Sequence, residues 1–248
     1  MSAPVGTDVA LSIDGVHAGY GGLRVLHDVS LEVARNEVVS VIGANGAGKT
    51  TFFNAVTGLV EPTAGSIEFN GHDVTKTPTH RLAEYGLGRT FQIPRPFESM
   101  TVWENIYLAA LGGRRSHDAG AQAAWVVHIL NLEKIWQAPV LTLPVGYRRM
   151  VELGRALALQ PDLILLDEVM AGMSQEELEQ VRGAIRQMPS FGVGAVAGIE
   201  HVIRAIVDLA DRIVVLDEGE KIAEGAPDEI MRHPEVVKAY LGEEMLTR

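Results

Sequence analysis

The run Gly43-Ala44-Asn45-Gly46-Ala47-Gly48-Lys49-Thr50 constrains this chain more than any other stretch. It follows a compact apolar segment from Glu37 to Ile42 and precedes the helix-compatible run TFFNAVTGL. Glycines at this spacing, between a buried strand and a helix, let the backbone wrap closely. Successive amides and the helix N-terminus then converge on one point, which suits a phosphate. The pattern G-x-x-x-x-G-K-[ST] adds the rest of the chemistry: Lys49 reaches the β and γ oxygens of a bound triphosphate, and the Thr50 hydroxyl ligates Mg²⁺. A dinucleotide fingerprint would need a different glycine order and an acidic partner further along, and neither is evident.

A second segment completes the arrangement. Leu163-Ile164-Leu165-Leu166 reads as a strand buried on both faces, and Asp167-Glu168 sit at its carboxyl end, where α/β folds place ligands. Asp167 is expected to hold Mg²⁺ through water, and Glu168 to polarise the attacking water. Two solvated acids at a strand end are common, so the pair takes its meaning from the phosphate loop upstream.

Composition narrows the class. The chain has 248 residues, no cysteine and a formal net charge of -11. An acidic balance argues against a nucleic-acid binder, which needs a Lys/Arg surplus, and against direct adhesion to anionic lipid. The first residues, MSAPVGTDVALSID, do not read as a signal peptide, and no apolar run approaches the ~20 residues of a spanning helix. A cytosolic protein is expected, with no direct lipid insertion and with any membrane link made through protein partners.

The rest of the chain alternates strands and helices, which implies a mainly parallel sheet. Val9, Leu11 and Ile13, and again Val29, Leu31 and Val33, alternate with polar neighbours and predict half-buried strands. Gly65 to Val74 reads as a hairpin turning at Asn70-Gly71. Thr101 and Glu104 have capping-box spacing before the helical run VWENIYLAAL. Further helices are expected over Ala121–Leu132, from Gly146 onward, over Glu176–Met188 and over Val202–Ala210. VGAVAGI reads as a strand, and RIVVLDEGEKIAEG as a terminal hairpin turning at Glu218-Gly219.

The order of segments then distinguishes among P-loop proteins. No Asn-Lys-x-Asp guanine reader is present. The loop at Gly43 is followed by Gly88-Arg89-Thr90-Phe91-Gln92, Leu143-Pro144-Val145-Gly146-Tyr147, the Asp167-Glu168 strand and Ile199-Glu200-His201. That succession resembles an ABC ATPase over nearly the whole chain. RTFQIPRPFESMTVWENI, LDEVMAG, IEHVIRAIVDLADRIVVLDEGEKIAEG and the tail HPEVVKAYLGEE resemble the ATPases of branched-chain amino acid importers.

The resemblance implies an α/β P-loop NTPase fold with a mainly parallel core sheet, an N-terminal antiparallel β subdomain and an inserted α-helical subdomain. A single ABC ATPase domain is expected over 1–248, with its core from 8–93 and 156–248 and the helical insertion at 94–155. Tyr20 would stack on adenine, Gln92 would sense Mg²⁺ and the attacking water, and His201 would contact the γ-phosphate. The remaining nucleotide contacts fall on Gly43, Asn45, Gly46, Ala47, Gly48, Lys49, Thr50 and Thr51, with Gly146 reaching the partner's nucleotide in trans. Gln92 to Asn105 would receive a helix of the permease. Tyr20 also reads as an exposed turn aromatic, and His201 as the cap of the helix starting at Val202. The resemblance further implies two membrane permease subunits, a second ABC ATPase as homo- or heterodimer, and an extracytoplasmic solute-binding protein.

Two segments depart from the family pattern. Where Leu-Ser-Gly-Gly-Gln is usual, this chain has Leu143-Pro144-Val145-Gly146-Tyr147, so the serine hydroxyl, the middle glycine and the glutamine are missing. Where Asp or Asn is usual after the Asp167-Glu168 strand, it has Ser174, whose spacing to Glu177 equally suits a helix cap or cross-dimer signalling. These departures motivate pairing with a non-identical ATPase that carries a stronger signature. An exporter ATPase of the lipopolysaccharide type and a regulatory ABC protein with weak hydrolysis are the alternatives; a DNA-repair ATPase would need a coiled coil for which Lys49 to Asp167 leaves no room. Glu168→Gln is expected to retain ATP binding and to trap a closed dimer, measured by size-exclusion chromatography with ATP; normal turnover would contradict Glu168 as the base.

Overall fold

The computed structural model describes residues 9–90, 96–114, 118–167, 170, 172–199 and 209–236, with backbone alone at 195–199. The alternating opening segment forms two long strands, β1 (Val9–Tyr20) and β2 (Leu23–Ala34), paired antiparallel. Leu11, Ile13, Val16 and Ala18 of β1 are buried, and bulges reset the alternation between Ile13 and Val16. β4 (Ala64–Phe69) and β5 (His72–Asp73) extend this sheet in the order β2-β1-β4-β5, and Asn70-Gly71 makes the turn between them with positive φ at both residues.

The second sheet holds the site. Its strands are β3 (Val38–Ile42), β6 (Leu87–Arg89), β7 (Leu163–Asp167), β8 (Gly194–Ile199), β9 (Arg212–Asp217) and β10 (Glu220–Gly225), in the order β10-β9-β3-β8-β7-β6. All neighbours pair in parallel except the terminal hairpin β9–β10. Every residue of β3 and β7 is buried, as parallel strands covered on both faces require. With β8 alone between them, the carboxyl ends of β3 and β7 open on the same edge of the sheet.

Helix α1 (Lys49–Val56) follows β3, and α2 (Thr79–Tyr85) precedes β6. Three helices then pack on one another: α3 (Val102–Leu111), α4 (Ala119–Ile129) and α5 (Val145–Ala158). Ile106, Val126, Leu130, Met150 and Leu153 are fully buried at their junction. After β7 come α6 (Gln175–Gln187) and, beyond β10, the short helices α7 (Pro227–Ile230) and α8 (Pro234–Val236). No helix among the described residues is long and apolar enough to cross a membrane.

The capping box at α3 is complete: the Glu104 amide donates to the Thr101 hydroxyl, and the Glu104 carboxylate accepts from the Thr101 amide. That amide, seconded by the Thr101 hydroxyl, holds the Glu104 carboxyl below its ordinary range. Helix α4 starts two residues before the expected Ala121, because Asp118 caps it, and stops at Ile129. Asn131, with φ of 51°, ends the helical path, while Leu130 and Leu132 still turn into the core. The pattern of apolar positions therefore outlasts the helix. Neither α2 nor β6 is foreshadowed in the sequence, because seven and three residues are too few to show a period. The helix expected over Val202–Ala210 lies, but for its last two residues, outside the described residues. Leu153 has no exposed surface, so Leu153→Ala is expected to cost about 2–5 kcal/mol in urea denaturation.

Candidate functional site

At the end of β3 the chain turns through Gly46 and Gly48, with φ of 87° and 100°, values that a side chain disfavours. This turn delivers Lys49 as the first residue of α1. Gly48 is the N-cap and supplies no side-chain cap, and helix geometry leaves the first amides without acceptors of their own. Ala44, Asn45 and Gly46 are exposed along the loop, Ala47 and Thr51 are buried beside it, and the Thr50 side of the helix start is open. Lys49 is buried and arches back over the loop, its Nζ donating to the carbonyls of Gly43 at 2.6 Å and Ala44 at 3.0 Å. The turn thus gathers the start of α1 and one cation at the end of β3, an arrangement suited to a polyanion.

Asp167 ends β7, 4% exposed. Its amide donates to the Thr90 hydroxyl at 3.3 Å, and its Oδ2 accepts from Arg89 Nη2 at 3.0 Å. The side chain of Arg89, at the end of β6, is largely covered, and its guanidinium reaches several groups at once. Nη2 also donates to Asn54 Oδ1 at 2.9 Å, while Nη1 donates to Thr57 Oγ1 at 2.5 Å and to the Phe53 carbonyl at 3.3 Å. Asn54 in turn donates from Nδ2 to the Tyr20 hydroxyl at 2.8 Å. Tyr20 is 49% exposed at the end of β1. The structure thus links Tyr20, α1, β6 and Asp167 through polar contacts, although Asn54, Thr57, Thr90 and Arg89 carried no role from the sequence. Arg89 and Thr90 lie within Gly88-Arg89-Thr90-Phe91-Gln92, but nothing in a linear pattern says which of its residues turns inward.

Of the other predicted residues, Gln92, Glu168 and His201 lie outside the described residues, as does Glu200. Gly146 lies far along the chain, in the first turn of α5 after Pro144, whose backbone forms the N-cap. Gly146 is buried. A methyl group on it would collide with the Glu177 carboxylate, so this position admits only glycine while Glu177 stays in place. Glu177 is itself held by the start of α6, where its carboxylate accepts from the Ser174 amide at 2.7 Å and its amide donates to the Ser174 hydroxyl at 3.3 Å. Ser174 is therefore the cap of α6. Tyr147 packs partly buried against the core of the three-helix layer, and Arg148 donates to the carbonyls of Leu143 at 2.9 Å and Leu141 at 2.7 Å, bracing the turn. Val145 and Leu141 remain exposed.

A cleft of about 370 Å³ opens between α3 and α5, lined by Phe97, Leu108, Ala109, Arg155 and Leu159, with Arg89 at its edge. Arg155 lies over the Phe97 ring at 4.8 Å. Asn105, fully buried, holds the Phe97 segment through its side-chain amide, accepting from the Phe97 amide at 2.8 Å and donating to the Phe97 carbonyl at 3.0 Å.

Comparison with known proteins gives a consistent set of relatives. The family profile described as ABC transporter matches residues 26–171, and the profile of the branched-chain amino acid ATP-binding cassette transporter matches residues 220–245. The chain is 35% identical to the high-affinity branched-chain amino acid transport ATP-binding protein BraF of Pseudomonas aeruginosa, over 98% of this chain and 100% of that one. It is 32% identical to the probable branched-chain amino acid transport ATP-binding protein LivG of Archaeoglobus fulgidus, covering 90% and 91% of the two. Among solved structures, the ADP conformation of MJ1267, an ATP-binding cassette of an ABC transporter, superposes with a TM-score of 0.83 at 27% identity, covering 95% of this chain and 99% of that one.

The Gly146–Glu177 contact makes a direct prediction. Gly146→Ala is expected to destabilise the chain by about 1–3 kcal/mol through forced displacement of the carboxylate. In a Glu177→Ala background the same substitution is expected to cost much less, a coupling read by double-mutant denaturation.

Proposed function

Because this chain belongs to the ABC transporter family of ATP-binding proteins, we propose that it binds and hydrolyses ATP to drive uptake of a branched-chain or related amino acid through a membrane permease. The observation that carries the reading is the meeting of two devices at one sheet edge: the Gly46/Gly48 turn with Lys49 at the end of β3, and Asp167 at the end of β7. The amino-acid class is supported by the relatives named for branched-chain amino acid transport and by the profile match at 220–245.

In this reading Tyr20 stacks on adenine from its exposed position beside α1. The loop amides from Gly43 to Thr51 and the start of α1 grip the phosphates, and Lys49 turns from the carbonyls of Gly43 and Ala44 toward the β and γ oxygens. The Thr50 hydroxyl and the Asp167 carboxylate are hard oxygen donors of the kind magnesium takes, and they would hold it with Gln92. Magnesium, when bound, neutralises charge on the β- and γ-phosphates. Glu168 acts as the base toward water, and Gln92 and His201 steady the transferring phosphoryl group. The cleft beside Phe97 and Arg155 receives the permease helix, which places the protein on the cytoplasmic face of the cell membrane, bound to two permease subunits and served by an extracytoplasmic solute-binding protein.

A second ATPase subunit supplies the other half of each composite site. The Gly146 turn offers it a weakened surface. Its serine hydroxyl is absent, its Cα face is taken by Glu177, and that carboxylate lies within the first turn of α5, where it lowers the positive potential that would attract a phosphate. Gly146 then acts in trans through the main chain alone. Pairing with a non-identical ATPase that carries a serine-containing signature follows from this.

Calorimetry of the folded chain with MgATP is expected to register saturable binding, and Lys49→Ala to abolish it; absence of heat with the unaltered chain would contradict the reading. The chain purified alone is expected to hydrolyse ATP slowly and without cooperativity. Robust cooperative turnover at low protein concentration would sink the unequal-partner arrangement.

A further inference from the structure

Beneath the phosphate loop one guanidinium ties together elements that have to stay in register for the site to work. The Arg89 side chain, 8% exposed, sends Nη2 to both Asp167 Oδ2 and Asn54 Oδ1, and Nη1 to Thr57 Oγ1 and the Phe53 carbonyl. An arginine presents its donors in a rigid planar fork, so several simultaneous bonds fix the relative positions of its acceptors far better than a lysine could. Three of those acceptors lie on α1 or at its C-cap, and the fourth is the carboxylate at the end of β7.

Helix α1 is only eight residues long, and Lys49 and Thr50 are its first two. Whatever fixes the far end of so short a helix also fixes its start. Arg89 therefore sets the distance between Thr50 and Asp167. That distance matters because magnesium keeps a near-octahedral shell, so the Thr50 hydroxyl that would bind it and the water through which Asp167 would reach it have to sit at a fixed spacing. The same network continues outward. Asn54, held by Arg89 on its oxygen, donates from its nitrogen to the Tyr20 hydroxyl, so the aromatic side chain at the loop entrance is referenced to the same frame.

We propose that Arg89 is a positioning residue that spaces Thr50 and Asp167, the two protein groups that hold magnesium directly and through water, and that Asn54 extends this frame to Tyr20. The proposal rests on the reading in which Thr50 and Asp167 share one magnesium ion. A purely structural arginine would do something different. Its loss would lower stability and weaken nucleotide binding alike with and without metal.

The test measures ATP dissociation constants in EDTA and in saturating Mg²⁺, on folded full-length protein, and takes their ratio as the magnesium increment. Arg89→Lys keeps a positive charge beside Asp167 but removes the fork. It is expected to bind metal-free ATP within about twofold of the unaltered chain, while its magnesium increment falls about tenfold, the usual scale for residues that orient metal ligands. Asn54→Ala, at a half-exposed position, keeps the Arg89–Asp167 pair and the bonds to Thr57 and the Phe53 carbonyl, but removes one of the three ties to α1 and the whole tie to Tyr20. Its increment is expected to fall about threefold, the scale of one hydrogen bond. An unchanged increment in either folded variant, or equal weakening with and without metal, overturns the proposal. If the unaltered chain binds ATP under neither condition, the nucleotide reading itself has failed; if it binds with a large increment that both variants keep, only the role of Arg89 and Asn54 has.

Discussion

The site depends on a backbone conformation that only glycine adopts readily. Gly46 and Gly48 take left-handed φ values in the turn out of β3, and α1 starts immediately after them with no side-chain cap. A side chain at either position would strain the turn, and a polar cap at Gly48 would occupy the amides that the turn exposes. The buried sheet below makes the turn possible. β3 and β7 are buried on both faces and place their loops on the same edge, so the glycine turn with Lys49 and a carboxylate share that edge although they lie far apart in sequence.

How much of this could be read from the sequence follows from the range of each interaction. The phosphate loop, the buried strands, both capping boxes and the Asn70-Gly71 and Glu218-Gly219 turns are local, and the spacing of their residues is enough to reveal them. The Arg89 network was hidden because its partners lie 32 to 78 residues away, and a linear pattern holds no information on which of them an arginine meets. Asn105 was hidden for a related reason: in a helical run it looks like a surface residue, whereas it is buried and holds the segment before α3. The β6 strand exists because β7 offers it an edge, not because three residues choose that form.

The departures from the family signature acquire physical explanations. Pro144 donates nothing at the N-cap, where a hydroxyl would have bonded, but its extended backbone starts α5 without strain. Tyr147 packs against the three-helix core, and Arg148 ties down the carbonyls before the turn. Ser174 serves α6 as its cap, and through Glu177 that cap reaches across to Gly146. Internal contacts thus fix the shape of the turn around Gly146.

Amide hydrogen exchange tests the central claim most directly, namely that main-chain donors between residues 43 and 51 grip a triphosphate. Addition of MgATP to the folded chain is predicted to slow exchange in the peptide spanning these residues by about tenfold or more, with little change in β1 or β4. Unchanged exchange across that peptide, with nucleotide demonstrably bound to the protein, would contradict the account.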